Sequence, residues 1–273
     1  MLLVHGFTQN AECMAPFARE LGTAMEAASQ LPPLIDDSDG DPGTPSLALC
    51  DLAPSIYGID LPGHGRSSSI QTGPWETARL LGEAFGRGIY VGYSMGARIC
   101  LHLALSSPEL VEALILISAS AGIDDGEARM ARKISDDAMA VALEGGTPDL
   151  AGFLERWTGQ PLFSTLPEQA KMIEERLANT PSGLASSLRL CGAGVCDSLW
   201  GRLHELEMPV HCVAGMLDGR YSYYALRTAQ LIGANATVSL IPSAGHACYA
   251  ERPKLISSLV ASLLGRGISI WQQ

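Results

Sequence analysis

Three residues of this 273-residue chain have the types, order and setting to make a serine reactive: Ser94, Asp218 and His246. A serine hydroxyl is inert near neutral pH unless a base takes its proton, and that base works best when a carboxylate orients it. Ser94 stands in Gly92-Tyr93-Ser94-Met95-Gly96, between the apolar run Ile89-Tyr90-Val91 and a helical pattern. A serine on such a strand-to-helix turn holds its hydroxyl out at the carboxyl edge of a sheet. The flanking glycines permit the strained backbone and a close helix–strand approach. Asp218 and His246 each follow a later apolar run, in Ala214-Gly215-Met216-Leu217-Asp218 and Pro242-Ser243-Ala244-Gly245-His246. A lone Asp in a loop is ordinarily a turn or cap residue, and a lone His a core or surface residue. The order Ser, Asp, His, each after a strand, favours the catalytic reading. Asp197 and Glu251 are weaker candidates for the acid, since neither follows a strand.

A reacting carbonyl or enolate also needs donors for its negative charge. His5-Gly6-Phe7-Thr8 follows the first apolar run, so the Phe7 N–H offers one oxyanion donor and the Met95 N–H, at the helix start, the other. His5 itself reads as structural, and Asp60-Leu61-Pro62-Gly63-His64-Gly65 shapes the rim. His102, His204 and His211 fit no catalytic role.

These groups must be positioned by alternating strands and helices. Near-continuous apolar runs at Leu2–His5, Ile56–Asp60, Ile89–Tyr93, Ala113–Ser118, Val210–Ala214 and Thr237–Ile241 predict strands covered on both faces. Helical patterns at Ala11–Ala28, Trp75–Gly86, Met95–Ser106, Tyr221–Ile232 and Arg252–Leu264 fill most gaps. The alternation predicts an α/β fold with a mostly parallel sheet, and no internal repeat is visible. Residues 29–54, rich in Pro, Asp and Gly, read as a surface insertion. Residues 121–208 are longer than a strand–helix connection requires and carry helical stretches, so they read as a helical cap and candidate lid. Residues 1–120 and 209–273 make up the core.

The composition narrows the partners. A chain that is 47% hydrophobic and 17% charged is neither disordered nor a small disulfide scaffold. No stretch reaches the roughly 18–20 apolar residues that span a bilayer, and no basic leader opens the chain, so no membrane insertion or signal peptide is expected. Seven cysteines, an odd number without a CxxC pair, fit reduced cytoplasmic thiols and no metal site. A net charge of −11 argues against nucleic acid. Within that acidic chain the basic residues are 15 arginines and three lysines. Arg98 stands one helical turn after Ser94, on the nucleophile's side, where a guanidinium is suited to hold a carboxylate. Its alternative role is a structural ion pair. With the arginines of the cap it suggests a positive pocket for a small substrate carrying several carboxylates.

Together these motifs resemble the α/β-hydrolase superfamily over nearly the whole chain. One departure is at the start, where the family usually has a strand hairpin before the HGF strand. The pattern is similar to one branch, the 2-succinyl-6-hydroxy-2,4-cyclohexadiene-1-carboxylate synthases of menaquinone biosynthesis. The matching stretches are HGFT at 5–8, DLPGHG at 60–65, GYSMGAR at 92–98, the E-x-R-x-x-R run at 127–132 and W-x-x-QPLF at 157–163. The segment from Arg176 to Gly183, LDGRY at 217–221 and PSAGH at 242–246 complete them. By that resemblance Ser94, Asp218 and His246 form a triad. Tyr93, Arg98, Arg132, Trp157 and Arg176 line the pocket and hold substrate carboxylates, with Arg132 preferred to Arg129 by register alone.

The implied reaction is elimination of pyruvate from 2-succinyl-5-enolpyruvyl-6-hydroxy-3-cyclohexene-1-carboxylate, a lyase step without metal or organic cofactor. The rival reading is a carboxylesterase or C–C bond hydrolase working through an acyl-serine. A third, a non-catalytic ligand receptor, is disfavoured by the complete Ser, Asp and His set. Assembly as a monomer or small homo-oligomer is expected.

Overall fold

A computed structural model describes residues 1–28, 47–53, 55–145 and 149–265. In chain order it runs β1 (Leu2–Val4), α1 (Ala15–Ala28), β2 (Leu49–Ala53), β3 (Ile56–Ile59), α2 (Pro74–Phe85), β4 (Gly88–Tyr93), α3 (Met95–Ser106) and β5 (Val111–Ile117). There follow α4 (Gly126–Glu144), α5 (Leu150–Thr158), α6 (Ile173–Arg176) and α7 (Pro181–Cys191). The chain then returns to the sheet with β6 (Val210–Gly215), α8 (Gly219–Ile232), β7 (Ala236–Ile241), α9 (Cys248–Glu251) and α10 (Pro253–Gly265).

The strands form one sheet in the order β2-β3-β1-β4-β5-β6-β7, parallel throughout except for β2. Successive side chains of a strand point to opposite faces, and the core divides accordingly. Leu2, Val4, Leu114 and Leu116 pack toward α2, α3 and α8, in a cluster with Leu81, Ile99 and Ala225. Leu3, Ala113, Ile115 and Ile117 pack toward α1 and α10, with Phe17, Leu21, Ile256 and Val260. Burial on both faces is why these strands are written as unbroken apolar runs.

β2 is the difference from the sequence reading. Residues 49–53 fall inside the stretch read as an insertion, yet they pair antiparallel with β3 at the sheet edge. The rest of that stretch, residues 29–46 and 54, lies outside the described residues. As an edge strand β2 is partly exposed and carries Asp51 and a register shift between Asp51 and Ala53, so it lacks a buried strand's apolar signal.

From β1 the chain crosses to β3 on one side and then to β4 on the other. The loops leaving β1 and β4 therefore diverge at the carboxyl ends of adjacent strands, the crevice where open α/β sheets bind ligands. Between β5 and β6, α4, α5 and α7 share a small apolar cluster of Leu143, Phe153, Leu154, Leu184 and Leu188. Phe7 and Trp157 pack against it, which joins this helical layer to the crevice. No helix among the described residues is long and apolar enough to cross a membrane.

Candidate active site

Ser94 sits between β4 and α3 with φ 51° and ψ −108°, a conformation that strains any residue with a side chain. Its N–H donates to the Ile117 carbonyl at 2.9 Å, pinning the turn to β5. The neighbouring glycines are required by space. A Cβ on Gly92 would lie 2.5 Å from the Ala97 Cα, and one on Gly96 2.3 Å from the Val4 carbonyl oxygen. Glycine here lets α3 close on the sheet and aim its N-terminus beneath the serine.

The three residues singled out by order do meet. His246 Nε2 lies 3.1 Å from Ser94 Oγ, and His246 Nδ1 lies 3.0 Å from Asp218 Oδ2. Asp218 is held from its other side, because Oδ1 caps α8 by accepting the Tyr221 N–H at 3.1 Å. Its cap role and its contact with the histidine use different oxygens, so one carboxylate does both. The His246 carbonyl accepts from Ser118 Oγ at 2.6 Å, and the Gly245 N–H donates to Glu251 Oε2 at 2.8 Å. The imidazole is 1% exposed and lies among the rings of Tyr221, Tyr93 and Phe163. Neither weaker acid candidate reaches it: Glu251 holds the loop backbone, and Asp197 accepts from Trp75 Nε1 at 3.2 Å.

The N–H groups of Phe7 and Met95 face no acceptor among the described residues, and both residues line the cavity in front of Ser94. His5 is structural, as its sequence position suggests. It accepts the Leu61 N–H at Nε2 (3.1 Å), so Nδ1 donates to the Gly6 carbonyl (2.8 Å), tying the two loops of the rim together. Burial pushes its pKa down, keeping it neutral.

The cavity has a volume of about 540 Å³ and is bordered by Ser94, His246, Tyr93, Trp157 and the three arginines singled out from the sequence, 98, 132 and 176. Arg98 is 7% exposed and Arg176 3%. Arg98 Nη2 donates to the Cys191 carbonyl at 3.0 Å, while its Nε is buried without a partner. Arg176 donates from Nε to the Lys171 carbonyl at 2.6 Å and from Nη1 to Thr8 Oγ1. Neither has a carboxylate partner among the described residues, so Arg98 is not held in the ion pair that was its alternative role. Arg132 is partly exposed and bonds Asp136 Oδ1 through Nε at 2.8 Å. Arg129 does not line the cavity. The Trp157 indole N–H is also buried without an acceptor among the described residues.

Other polar residues that were not singled out also border this space, among them Gln9, Arg220 and Tyr221. Tyr221 belongs to the LDGRY stretch, and burial holds its hydroxyl in the neutral form by raising its pKa. Gln9 bridges the Gly6 N–H and the Tyr249 hydroxyl at 3.0 and 2.6 Å. A hydroxyl-activating relay, two free amides and buried unpaired cations in one cavity can take a proton from a carbon or acylate a serine, on a substrate that is anionic.

Comparison with known proteins agrees with this architecture. Residues 1–259 match the alpha/beta hydrolase family. A Bacillus subtilis (strain 168) protein provisionally named 2-succinyl-6-hydroxy-2,4-cyclohexadiene-1-carboxylate synthase is 31% identical over 221 residues, 76% of this chain and 79% of that protein. The synthase of that name from Klebsiella pneumoniae is 26% identical over 219 residues, 77% of this chain and 83% of its own. Among solved structures, MenH from S. aureus superposes with a TM-score of 0.78 at 26% identity, covering 100% of this chain and 95% of that one. The chain is thus an enzyme that belongs to the alpha/beta hydrolase family.

Proposed function

We propose that the chain is a 2-succinyl-6-hydroxy-2,4-cyclohexadiene-1-carboxylate synthase, a lyase of menaquinone biosynthesis that eliminates pyruvate from 2-succinyl-5-enolpyruvyl-6-hydroxy-3-cyclohexene-1-carboxylate. The observation that carries this reading is the pair of buried arginines, 98 and 176, facing the serine's cavity with no acid among the described residues to neutralise them. A buried charge left unpaired by the fold is costly, and a substrate bearing several carboxylates supplies the missing partners. The relatives and the MenH superposition support the same substrate.

In this reading Ser94, its proton drawn toward His246 and Asp218, removes a ring proton from the bound substrate. The C–H electron pair becomes part of the ring diene and the C–O bond to the enolpyruvyl group breaks. The departing enolate regains a proton and leaves as pyruvate. Charge that builds on the substrate is met by the Phe7 and Met95 amides. Arg98, Arg132 and Arg176, with Tyr93 and Trp157, hold the anionic groups so that the C–H bond faces the serine. A proton moves and a C–O bond breaks without change of redox state, so the step calls for no cofactor. The seven cysteines are all free, six of them buried, which supports a reducing, cytoplasmic setting.

The test is pyruvate release in a coupled assay in which the preceding synthase makes the unstable substrate in situ from isochorismate and 2-oxoglutarate. Release by the wild type well above the spontaneous rate, lost in Ser94→Ala and Arg98→Ala, is the expected result. Release at the background rate would remove the lyase reading. An ester and diketone hydrolase panel would then test whether the same serine relay forms an acyl-enzyme.

A further inference from the structure

Of the two N–H groups assigned to the oxyanion, that of Met95 is aimed by α3, whereas that of Phe7 stands in a loop. The loop is the turn Gly6-Phe7-Thr8-Gln9, closed by the Gln9 N–H on the Gly6 carbonyl at 3.2 Å. Within it Thr8 takes φ 67°, a region that β-branched residues avoid. A strained residue next to the working amide must be held in place by its surroundings.

That hold converges on one peptide unit. The Gly6 carbonyl accepts from the Gln9 N–H and from His5 Nδ1, at 3.2 and 2.8 Å. In a planar trans peptide the N–H points opposite to the C=O, so fixing this carbonyl fixes the direction of the Phe7 N–H. The Gly6 N–H in turn donates to Gln9 Oε1 at 3.0 Å. Gln9 thus grips the residue before Phe7 at both its N–H and its C=O. Because Oε1 is the acceptor, Nε2 is the donor, and it donates to the Tyr249 hydroxyl at 2.6 Å. Gln9 is 4% exposed and Tyr249 1%, so water does not compete for this bond. The Tyr249 ring is itself wedged between those of Tyr93 and Phe17, with centroids 4.8 and 5.5 Å away. Tyr249 also stands three residues after His246. One short stretch of chain therefore carries the base and steadies the turn that faces it. Gln9 borders the serine's cavity and Tyr249 does not.

We propose that Gln9 and Tyr249 are positioning residues that keep the Phe7 N–H on the oxyanion, Gln9 directly and Tyr249 only through Gln9. The inference rests on the proposed roles of Ser94 and Phe7 and names what keeps that donor in register with His246.

A double-mutant cycle of Gln9→Met and Tyr249→Phe, read in two reactions, tests this. Each substitution keeps the bulk of the side chain and removes its hydrogen-bonding group. In the pyruvate assay Gln9→Met should lower kcat ~100-fold and Tyr249→Phe ~10-fold, with KM changed less than ~2-fold, as for a donor that is misplaced. The double variant should be no slower than Gln9→Met, because the phenol has no other route to the site. The second reaction is phosphonylation of Ser94 by an alkyl fluorophosphonate: the serine oxygen bonds phosphorus, fluoride leaves, and the phosphoryl oxygen occupies the oxyanion position. Its rate should fall in the same order and with the same non-additivity. This reaction needs no natural substrate, so such a fall with pyruvate release at background removes the lyase reading and supports the positioning roles. A Tyr249→Phe variant that is phosphonylated at the wild-type rate overturns the proposal, even where its Tm is lowered. A double variant slower than Gln9→Met by the full Tyr249→Phe factor overturns it as well, since the phenol would then act independently of Gln9.

Discussion

Arg98 is a cation that the needs of folding alone would not bury. It is 7% exposed, donates to the Cys191 carbonyl and interacts with the Cys196 thiol, and its Nε has no partner among the described residues. Such a group destabilises the free protein and acts only when an anion arrives, so stability and activity should move in opposite directions when it is removed. Arg98→Met keeps the apolar stem and drops the charge. Its Tm should rise by ~2–4 °C for each kcal/mol of relieved desolvation in a chain of this size. Its kcat/KM for the proposed substrate should fall ~30- to 1,000-fold, the loss of about 2–4 kcal/mol from a desolvated charge pair. Thermal denaturation and the pyruvate assay read the two effects separately. The same tension exists at Ser94, whose φ of 51° is costly for a residue with a Cβ. Ser94→Gly relieves that strain and Ser94→Ala does not. Both should be inactive, and the glycine variant should be the more stable by about 1 kcal/mol or more in denaturant titrations.

At the scale of elements, the base is positioned by the ends of two strands. The last residue of β6 is Gly215, where a Cβ would lie 2.2 Å from the Gly245 carbonyl oxygen, next to His246. Gly215→Ala therefore pushes the histidine loop away from Ser94 while leaving the arginines in place. Because a misplacement of ~1 Å can cost ~10²-fold in rate, kcat should drop on that order with KM little changed; steady-state kinetics would show the opposite split if the loop only bound substrate. These close approaches explain what was legible in the chain. Gly92, Gly96 and Gly215 are fixed by local geometry, and strands buried on two faces write themselves as apolar runs, so the parallel sheet and the Ser, Asp, His order could be read directly. β2 was not legible, since an edge strand holding Asp51 between a Pro- and Gly-rich stretch and a turn has neither the apolar run nor the strict alternation. Nor were Gln9, Arg220 and Tyr221, whose place at the cavity depends on how distant loops converge. Arg132 could be separated from Arg129 only by helical register, and α4 turns Arg132 toward the serine.

For the molecule as a whole, the buried histidines set how it responds to acid. His5 and His64 are fully buried, and burial pushes both pKa values down, that of His64 strongly. His102 and His211 are pushed down to about 4, again mainly by burial. The unfolded chain protonates each of these near its ordinary 6.5, whereas the folded chain resists until pH is far lower. Below 6.5 the unfolded state therefore binds more protons, and stability falls with pH. The contribution of these residues is complete above about 6.5 and is lost progressively toward 4. A net charge of −11 works the other way, because acid neutralises carboxylates and eases their mutual repulsion. That repulsion is spread over a large, screened surface, whereas each imidazole is confined in the core, so the histidines should dominate in this window. Tm measured at half-unit steps should be flat above pH 7 and fall steadily from 6.5 to 4. His102→Leu, which removes a ring whose Nδ1–H meets the Arg98 carbonyl and whose Nε2 is buried without a partner, should lower Tm at pH 7 and reduce the acid slope by up to one proton. A slope unchanged by His102→Leu would mean that surface carboxylates, and not the buried imidazoles, govern the acid transition.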